Sequence, residues 1–305
     1  MFTSILVPLD ESSLSRSVLP YVEHLARPGH ARVTFVHVIP HHSIVRHGQP
    51  DDDAVVEASE LAASLQQAGV DASATEAHGR LGPAIVQTAA DVGADLIAMS
   101  THGRGELGRV LHGSVAEEVL RGCHVPLLLA TPNCTRRWVA ERALRVLVPL
   151  DGSPLAKEAL AAAVELARSL DVELRLVRAI PEHWELDALG FGHRAPAPAR
   201  DRDDAREYLE QVAAQLRQDG RSVLAYVEEG DPASWIARVI DDDAIDLVVM
   251  ATHGRGSLND VVLEGIATVV TGGRLHFALG SVAAAVVQHA SAPVLLVRPA
   301  EPTSE

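Results

Sequence analysis

The chain has 305 residues, which is long enough for two hydrophobic cores of ordinary domain size. Hydrophobic residues make up 47% of the sequence and aromatic residues only 3%, so we expect cores built from Ala, Val, Leu and Ile. The formal net charge of −15 argues against general DNA or RNA binding, because a phosphate backbone would be repelled.

The amino terminus leads directly into strand-like sequence, without a basic segment or a cleavage site. No apolar run reaches the ~18 residues of a membrane span. Two cysteines, Cys123 and Cys134, are too few for a disulfide framework, and their surroundings show no metal-type pairing. We therefore expect a cytoplasmic protein with no membrane partner and no nucleic acid partner.

In chain order, the first half alternates short apolar runs with helical segments. Apolar runs of this length predict strands that are buried on both faces. The predicted strands are 4–8, 32–38, 71–77, 96–100 and 125–130. The predicted helices are 13–27, 51–68, 83–92 and 114–121. Five βα units of this kind make a doubly wound, five-stranded parallel sheet of the Rossmann-like or flavodoxin-like class.

The second half repeats the first, which predicts an internal duplication. ILVPLD at 5–10 recurs as VLVPLD, ADLIAMSTHGRG at 94–105 recurs as IDLVVMATHGRG, and GSVA at 113–116 recurs unchanged, at 146–151, 245–256 and 280–283. Three segments in the same order are far beyond chance. The second set of predicted strands is 145–149, 173–179, 222–227, 247–251 and 294–298, and a flexible loop is predicted at 190–200.

The duplication defines two tandem domains. We predict a first domain at 1–132, a linker at 133–143 and a second domain at 144–305, which carries an insertion at about 259–274. Both copies end in an apolar run, at 125–129 and 293–297, and an exposed apolar edge strand is a pairing surface. We predict that these two last strands pair with each other within the chain.

The first candidate for ligand binding is the carboxylate that follows the first strand of each copy. In a doubly wound sheet, ligands bind beyond the carboxyl ends of the strands, where the strand order reverses. Asp10 and its counterpart Asp151 lie at that position in the sequence. Each carboxylate could accept hydrogen bonds from ribose hydroxyls or an adenine amino group. The alternative is that each one caps the helix that follows.

The second candidate is the loop that follows the fourth strand, from Ser100 to Gly113 and Ser114. Glycine allows the backbone to turn with positive φ and to approach a ligand closely. A helix N-terminus offers free N–H groups and the positive end of the helix dipole, which suit a phosphate. The alternative is a helix N-cap after a glycine-rich turn, but the recurrence of the loop in both copies favours the ligand interpretation.

With these motifs the chain resembles the universal stress protein family, whose ATP-binding members carry G-x2-G-x9-G-[S/T] after the fourth strand. Here the motif reads Ser100-x2-Gly103-x9-Gly113-Ser114, with Ser in place of the first glycine. The resemblance implies that an adenine nucleotide, ATP, binds in the first copy, either alone or together with Mg²⁺. It implies these nucleotide-binding residues: Pro8, Asp10, Val38, Ser100, His102, Gly103, Arg104, Gly113, Ser114 and Val115.

The second copy departs further from the family motif. The resemblance implies a weaker second site at Asp151, Ala179, Ala251, Gly254, Gly280 and Ser281. Ala251 replaces the first glycine, and 25 residues instead of 9 separate Gly254 from Gly280. The insertion has apolar residues on a helical stripe, with a strand pair as the alternative. It either covers the site as a lid or packs against a partner chain, and we favour packing in a homo-oligomer, such as a homodimer.

Histidines raise the question of a metal site. His37, His41, His42 and His47 cluster at the end of the second strand, but no carboxylate or thiol is spaced to complete a tetrahedral set. We therefore predict no metal ligand and expect a solvated loop. The repeated His102 and His253 have no visible nucleophile or orienting carboxylate, so we predict no catalytic residue.

The function that we expect is a stress-response binding or regulatory module that holds ATP mainly in its first copy, and not an enzyme. One alternative is a nucleotide-free, oligomerising interaction protein, which Ser100, Ala251 and the insertion favour. The other alternative is a weak ATP hydrolase, which the absence of a general base paired with a nucleophile disfavours.

Overall fold

The structure is a computed structural model of the chain. It describes residues 1–10, 12–40, 51–101, 114–139, 141–180, 183–186, 192–195, 197–252 and 279–298. For 51–54, 114, 183–186 and 192–195 it describes the backbone.

The first copy alternates strands and helices in the predicted order. Its strands are β1 (Ser4–Leu9), β2 (Arg32–Ile39), β3 (Ala72–His78), β4 (Leu96–Ser100) and β5 (Leu127–Ala130). Its helices are α1 (Leu19–Gly29), α2 (Asp51–Gln67), α3 (Leu81–Asp91) and α4 (Ser114–Gly122). The first helix was predicted from residue 13, but a 3₁₀ turn occupies Ser15–Val18. Pro20 has no N–H to donate, so the α-helix can only begin beside it.

The second copy has the same core elements, and within its described residues two short strands, β8 and β9, also pair. Its strands are β6 (Leu144–Pro149), β7 (Val172–Ile180), β8 (His183–Leu186), β9 (Gly192–Ala195), β10 (Ser222–Glu229), β11 (Leu247–Ala251) and β12 (Val294–Val297). Its helices are α5 (Pro154–Leu166), α6 (Ala199–Gln218), α7 (Pro232–Asp242) and α8 (Ser281–His289). The prediction of a flexible loop at 190–200 is wrong in part, because β9 pairs antiparallel with β8 and α6 begins within that range.

All strands except β8 and β9 form one ten-stranded sheet, in the order β10-β7-β6-β11-β12-β5-β4-β1-β2-β3. Neighbouring strands within each copy are parallel, which confirms the doubly wound α/β class. The two copies meet at β5 and β12, which pair antiparallel with Leu128 opposite Leu295. The predicted pairing of the two last strands within the chain is therefore confirmed.

Two apolar layers cover the two faces of this sheet, and both layers run through both copies. Successive side chains of a strand point to opposite faces. Leu128 and Leu295 accordingly lie in one layer, while Leu127 and Leu296 lie in the other. None of these four side chains is more than 1% exposed. The two copies therefore share one continuous interior across the β5–β12 junction.

Hydrogen bonds also cross the junction in a nearly symmetric way. Arg298, which follows β12, donates from Nη1 to the carbonyl oxygens of Cys123, at 2.7 Å, and Leu120 at the end of α4. Thr131, which follows β5, donates from its hydroxyl to the carbonyl oxygen of Ala290 after α8, at 3.3 Å. The last carbonyls of a helix have no partner within the helix. Each copy thus caps the last helix of the other.

The linker is anchored on both copies by Trp138, which is 6% exposed. Its Nε1 donates to the carbonyl oxygen of Asp246 at 2.8 Å. Its ring makes edge-to-face contacts with Tyr21 and His24 of α1, with ring centroids 5.2 and 5.8 Å apart. The Tyr21 hydroxyl in turn donates to the carbonyl oxygen of Arg136 at 2.6 Å.

Within the described residues, no helix is long and apolar enough to cross a membrane.

Candidate functional site

The strand order reverses beside β1 in the first copy and beside β6 in the second. β1 lies between β2 and β4, and β6 lies between β7 and β11. The β1–β4 register pairs Ile5 with Leu96 and Leu6 with Ile97, so its continuation places Leu9 level with Ser100. Asp10 and the end of β4 consequently lie at the same edge of adjacent strands. This is the position at which doubly wound sheets bind ligands.

Asp10 organises the turn after β1 with one of its two carboxylate oxygens. Its Oδ1 accepts hydrogen bonds from the backbone N–H of Ser12, at 3.0 Å, and from the Ser12 hydroxyl. The Ser12 Oγ then accepts from the backbone N–H of Ser15 at 3.2 Å. Among the described residues, no hydrogen bond to the Asp10 carboxylate uses Oδ2. The half-buried carboxylate therefore keeps one oxygen as an acceptor for an outside donor.

Asp151 makes the same turn in the second copy. Its Oδ1 accepts from the backbone N–H of Ser153 at 2.9 Å, and the Ser153 Oγ accepts from the backbone N–H of Ala156 at 3.1 Å. Ser153 is thus the N-cap of α5. Among the described contacts, the Ser153 side chain and not that of Asp151 caps α5, because a short Asp side chain bonds most easily to the N–H two residues on.

The end of β4 is buried and pinned to β5. Ser100 and Thr101 are 8% and 3% exposed, and the Thr101 backbone N–H donates to the carbonyl oxygen of Ala130 at 3.1 Å. The corresponding Thr252, after β11, makes the same bond to Val297 at 3.1 Å. In each copy, the fourth strand therefore ends at the same edge of the sheet as the aspartate that follows the first strand.

The start of α8 closes back onto the end of β11. The backbone N–H of Gly280 donates to the carbonyl oxygen of Thr252 at 2.8 Å. Gly280 is the N-cap of α8, with φ −62° and ψ 157°, and Ser281 follows as an exposed residue. The two ends of segment 253–279 are thus one hydrogen bond apart. The Gly280 N–H, a candidate phosphate donor, is already used by Thr252.

The ends of the second strands form the far side of each crevice. Val38 is 5% exposed and its side chain lies in an apolar layer, so only its backbone is available to a ligand. Ala179 and Pro8 are half-buried. In both copies a glycine bridges to the second strand: Gly79 and Gly230, at φ 134° and 125°, donate to Ile39 and Ile180 at 3.0 Å. A positive φ of this size favours glycine.

Other predicted site residues lie outside the described part of the chain. These are His102, Gly103, Arg104, Gly113 and Gly254, together with His41, His42, His47 and the insertion at 259–274. Ser114 begins α4, Val115 is half-buried, and Ala251 ends β11 half-buried. The structure therefore brings together Asp10, the end of β4 and the end of β2 in the first copy.

The first turns of the two last helices differ in charge, which the sequence analysis missed. Glu117 lies in the first turn of α4, where its carboxylate pairs with Arg121 one turn later. Its counterpart on α8 is Ala284, which is 7% exposed. The i, i+4 spacing of Glu117 and Arg121 is a readable signal for such a pair. A phosphate at α4 would therefore lie near a paired carboxylate that α8 lacks.

Reactive side chains among the described residues include His37, beside the crevice, and two cysteines, Cys123 after α4 and Cys134 in the linker. His37 is level with Leu9 in the β1–β2 register, and its buried Nδ1 has no hydrogen-bond partner among the described residues. Burial raises the pKa of the Cys123 and Cys134 thiols, which holds both in the protonated, unreactive form. No group of three or more His, Cys, Asp or Glu within the described ranges is placed to hold a metal ion. The described part of the crevice presents acceptors and backbone groups, which suit binding.

Comparisons with known proteins agree with this architecture. The model of the universal stress protein family matches the chain twice, over residues 1–131 and 143–298. A universal stress protein of Mycolicibacterium smegmatis is 26% identical over 309 residues, covering 97% of each chain. One from Synechocystis is 30% identical over 165 residues, which are 50% of this chain and 97% of that protein. The crystal structure of a universal stress protein from Archaeoglobus fulgidus has a TM-score of 0.68 and 21% identity, covering 98% and 97% of the two chains.

Proposed function

The chain belongs to the universal stress protein family, with two copies of the family domain in tandem, and we propose that its first copy binds an adenine nucleotide, ATP. The proposed role is a stress-response binding or regulatory module in the cytoplasm. Binding is assigned to the crevice between β1 and β4, with Asp10, the end of β2 and the loop that leads to α4 around the nucleotide.

The Asp10 carboxylate carries this proposal. Its Oδ1 is used by Ser12, while Oδ2 makes no hydrogen bond with any described residue. Ribose hydroxyls and the adenine amino group are hydrogen-bond donors, so a carboxylate oxygen at the switch point can accept from either one. A half-buried acceptor also makes a stronger hydrogen bond than a fully solvated one.

The second copy is proposed as the weaker site. Its Gly280 N–H donates to Thr252 at 2.8 Å, so a phosphate at α8 would have to displace an existing hydrogen bond. Displacing a hydrogen bond that is already made gains little free energy, and the 25 residues between Gly254 and Gly280, instead of 9, depart further from the family motif. The predicted role of the insertion at 259–274, packing against another copy of the chain, belongs to the same proposal.

The second candidate function is a nucleotide-free interaction protein. The Gly280–Thr252 hydrogen bond favours it for the second copy, because the N–H at the start of α8 already has a partner within the chain. Ser100, in place of the first motif glycine, favours it for the first copy. Weak ATP hydrolysis is the third candidate, and the described residues offer no general base beside a nucleophile to support it.

Nucleotide content and affinity test the proposal. The protein is purified without added nucleotide and denatured, the released small molecules are identified, and ATP is then titrated into the emptied protein by calorimetry. We expect near-stoichiometric ATP binding that Gly113→Val removes, because a branched side chain blocks close approach of the phosphates. The matched variant Gly280→Val should keep it. If no nucleotide is released and millimolar ATP gives no binding heat, the interaction-protein candidate replaces this one.

A further inference from the structure

Three arginines line a cleft beside the linker, which is separated from the proposed nucleotide site by strands β12 and β5. Its volume is about 420 Å³, and its lining residues are Thr135, Arg136, Arg137, Arg142 and Asp246. Asp246 precedes β11 and Arg142 lies just before β6, so the cleft is at the amino ends of these strands. Because β5 and β12 pair antiparallel, this edge of the sheet is also the edge at which β1 and β4 end. The cleft is separated from the β1–β4 crevice sideways, because β12 and β5 lie between β11 and β4 and place these two strands about 14 Å apart.

The lining residues give this cleft a positive charge in an acidic protein. Three guanidinium groups face one carboxylate, which is a formal charge of +2 in a chain of net charge −15. The carboxylate of Asp246 is fully buried and already satisfied. It accepts two hydrogen bonds from Arg142, both at 2.6 Å, and one from the backbone N–H of Arg145 at 2.9 Å. The positive charge that remains is therefore that of Arg136 and Arg137.

Arg136 and Arg137 also keep hydrogen-bond donors that the described residues do not use. Arg136 donates one hydrogen bond, from Nη2 to the carbonyl oxygen of Asp241, at 3.0 Å. Its Nε is buried and has no hydrogen-bond partner among the described residues. Arg137 is exposed and makes no hydrogen bond within the described part of the chain. A buried donor without a partner is unfavourable, and a turn of the Arg136 side chain toward the cleft would let an oxyanion supply the missing acceptor.

The negative groups near the cleft limit which anions can bind. The Asp241 carboxylate is engaged by the Ser291 hydroxyl at 2.5 Å, and Glu141 is exposed to solvent. A monovalent anion gains little against these neighbours in water. A multivalent oxyanion can instead form charge-assisted, two-pronged hydrogen bonds with guanidinium groups, which are well suited to phosphate.

We propose that the linker cleft is a binding site for phosphate groups, with Arg136 and Arg137 as the main ligands and Thr135 as a further donor. Arg142 acts as a positioning residue, because its pairing with Asp246 fixes the wall of the cleft. The volume exceeds that of a single phosphate, so the site takes inorganic phosphate or a short polyphosphate such as pyrophosphate. This proposal is independent of ATP binding in the first copy.

Calorimetric titration of the full chain tests the site, with inorganic phosphate and pyrophosphate as separate ligands at constant ionic strength. Arg137→Gln should weaken binding about tenfold, because one charge-assisted contact is lost. Arg137 is exposed and has no described hydrogen bond or ion pair to lose, so the variant should remain folded. The matched control is Arg200→Gln, whose side chain is 89% exposed on α6, and it should bind like the wild type.

Two further results separate this site from the nucleotide site. Gly113→Val should keep phosphate binding, while Arg137→Gln should keep ATP binding. Loss of phosphate binding in Gly113→Val would assign the anion to α4 and overturn the proposal. Equal affinity in Arg137→Gln and Arg200→Gln, or no binding heat from either ligand at millimolar concentration, would overturn it as well. Tighter binding of pyrophosphate than phosphate would support the polyphosphate form.

Discussion

The two crevices share their framework and differ where a phosphate would lie. In both, an aspartate after the first strand uses Oδ1 to hold the N–H of a serine two residues later, through Asp10 and Asp151. At the last helices, Glu117 lies in the first turn of α4, whereas the first turn of α8 carries no acidic residue. The turns that build the sheet edge are thus alike in the two copies, while the first turns of the last helices differ in charge. A turn that supports the fold is retained whether or not its ligand is retained.

The largest expected effect concerns the junction that joins the two copies. Leu128 is fully buried in β5, opposite Leu295, so Leu128→Lys would place an ammonium group inside the shared core. We expect a loss of at least about 4 kcal/mol in the free energy of unfolding, measured with urea. Leu224→Lys on edge strand β10, where the side chain is 43% exposed, is the control and should cost less than about 1 kcal/mol.

Equal stability of these two lysine variants would contradict the shared interior. If Leu128→Lys unfolds in two transitions where the wild type unfolds in one, the two copies fold separately once their junction is broken.

A smaller effect is expected at one helix position that the two copies use differently. His24 of α1 packs against the linker residue Trp138, whereas its counterpart Glu165 of α5 binds the amino group of Met1 at 2.8 Å. Burial lowers the pKa of His24 below its usual 6.5, although Glu23 and Glu141 oppose the shift and Arg27 adds to it. The folded chain therefore binds this proton less readily than the unfolded chain.

The sign of the pH effect follows from that difference. The unfolded state holds more protons below pH 6.5, so stability should fall as the pH drops from about 7 through that value toward the lowered pKa. In His24→Gln the free energy of unfolding should fall less between pH 7.5 and pH 5 than in the wild type, by a difference of up to about 1 kcal/mol. The same pH dependence in His24→Gln and the wild type would contradict a lowered pKa of His24 in the folded chain.

Much of the fold was predictable because its signals are local or repeated. The recurrence of the ILVPLD and GSVA segments predicts the duplication, and apolar runs such as the one around Leu128 predict buried strands and their pairing. Pro20 also indicated the late start of α1, because proline has no N–H to donate and is tolerated best in the first turn of a helix.

Contacts between distant residues carried no such signal. The bond from Trp138 to Asp246 joins residues 108 positions apart, and the one from Arg298 to Cys123 joins residues 175 apart. The local sequence around a Trp in a polar linker does not indicate whether its side chain is buried or exposed to solvent. For the site, the position of Asp10 followed from the strand order, but the use of Oδ1 by Ser12 and of the Gly280 N–H by Thr252 depends on the folded backbone.

The most direct measurement is ATP affinity in the paired variants Asp10→Asn and Asp151→Asn. Asn keeps an oxygen that can accept from the residue-12 or residue-153 N–H, but it replaces the second acceptor with a donor. We expect Asp10→Asn to weaken ATP binding at least about tenfold, since a half-buried acceptor becomes a mismatched donor. Asp151→Asn should leave the main affinity unchanged. Wild-type affinity in Asp10→Asn, or a loss confined to Asp151→Asn, would contradict the assignment of the nucleotide to the first copy.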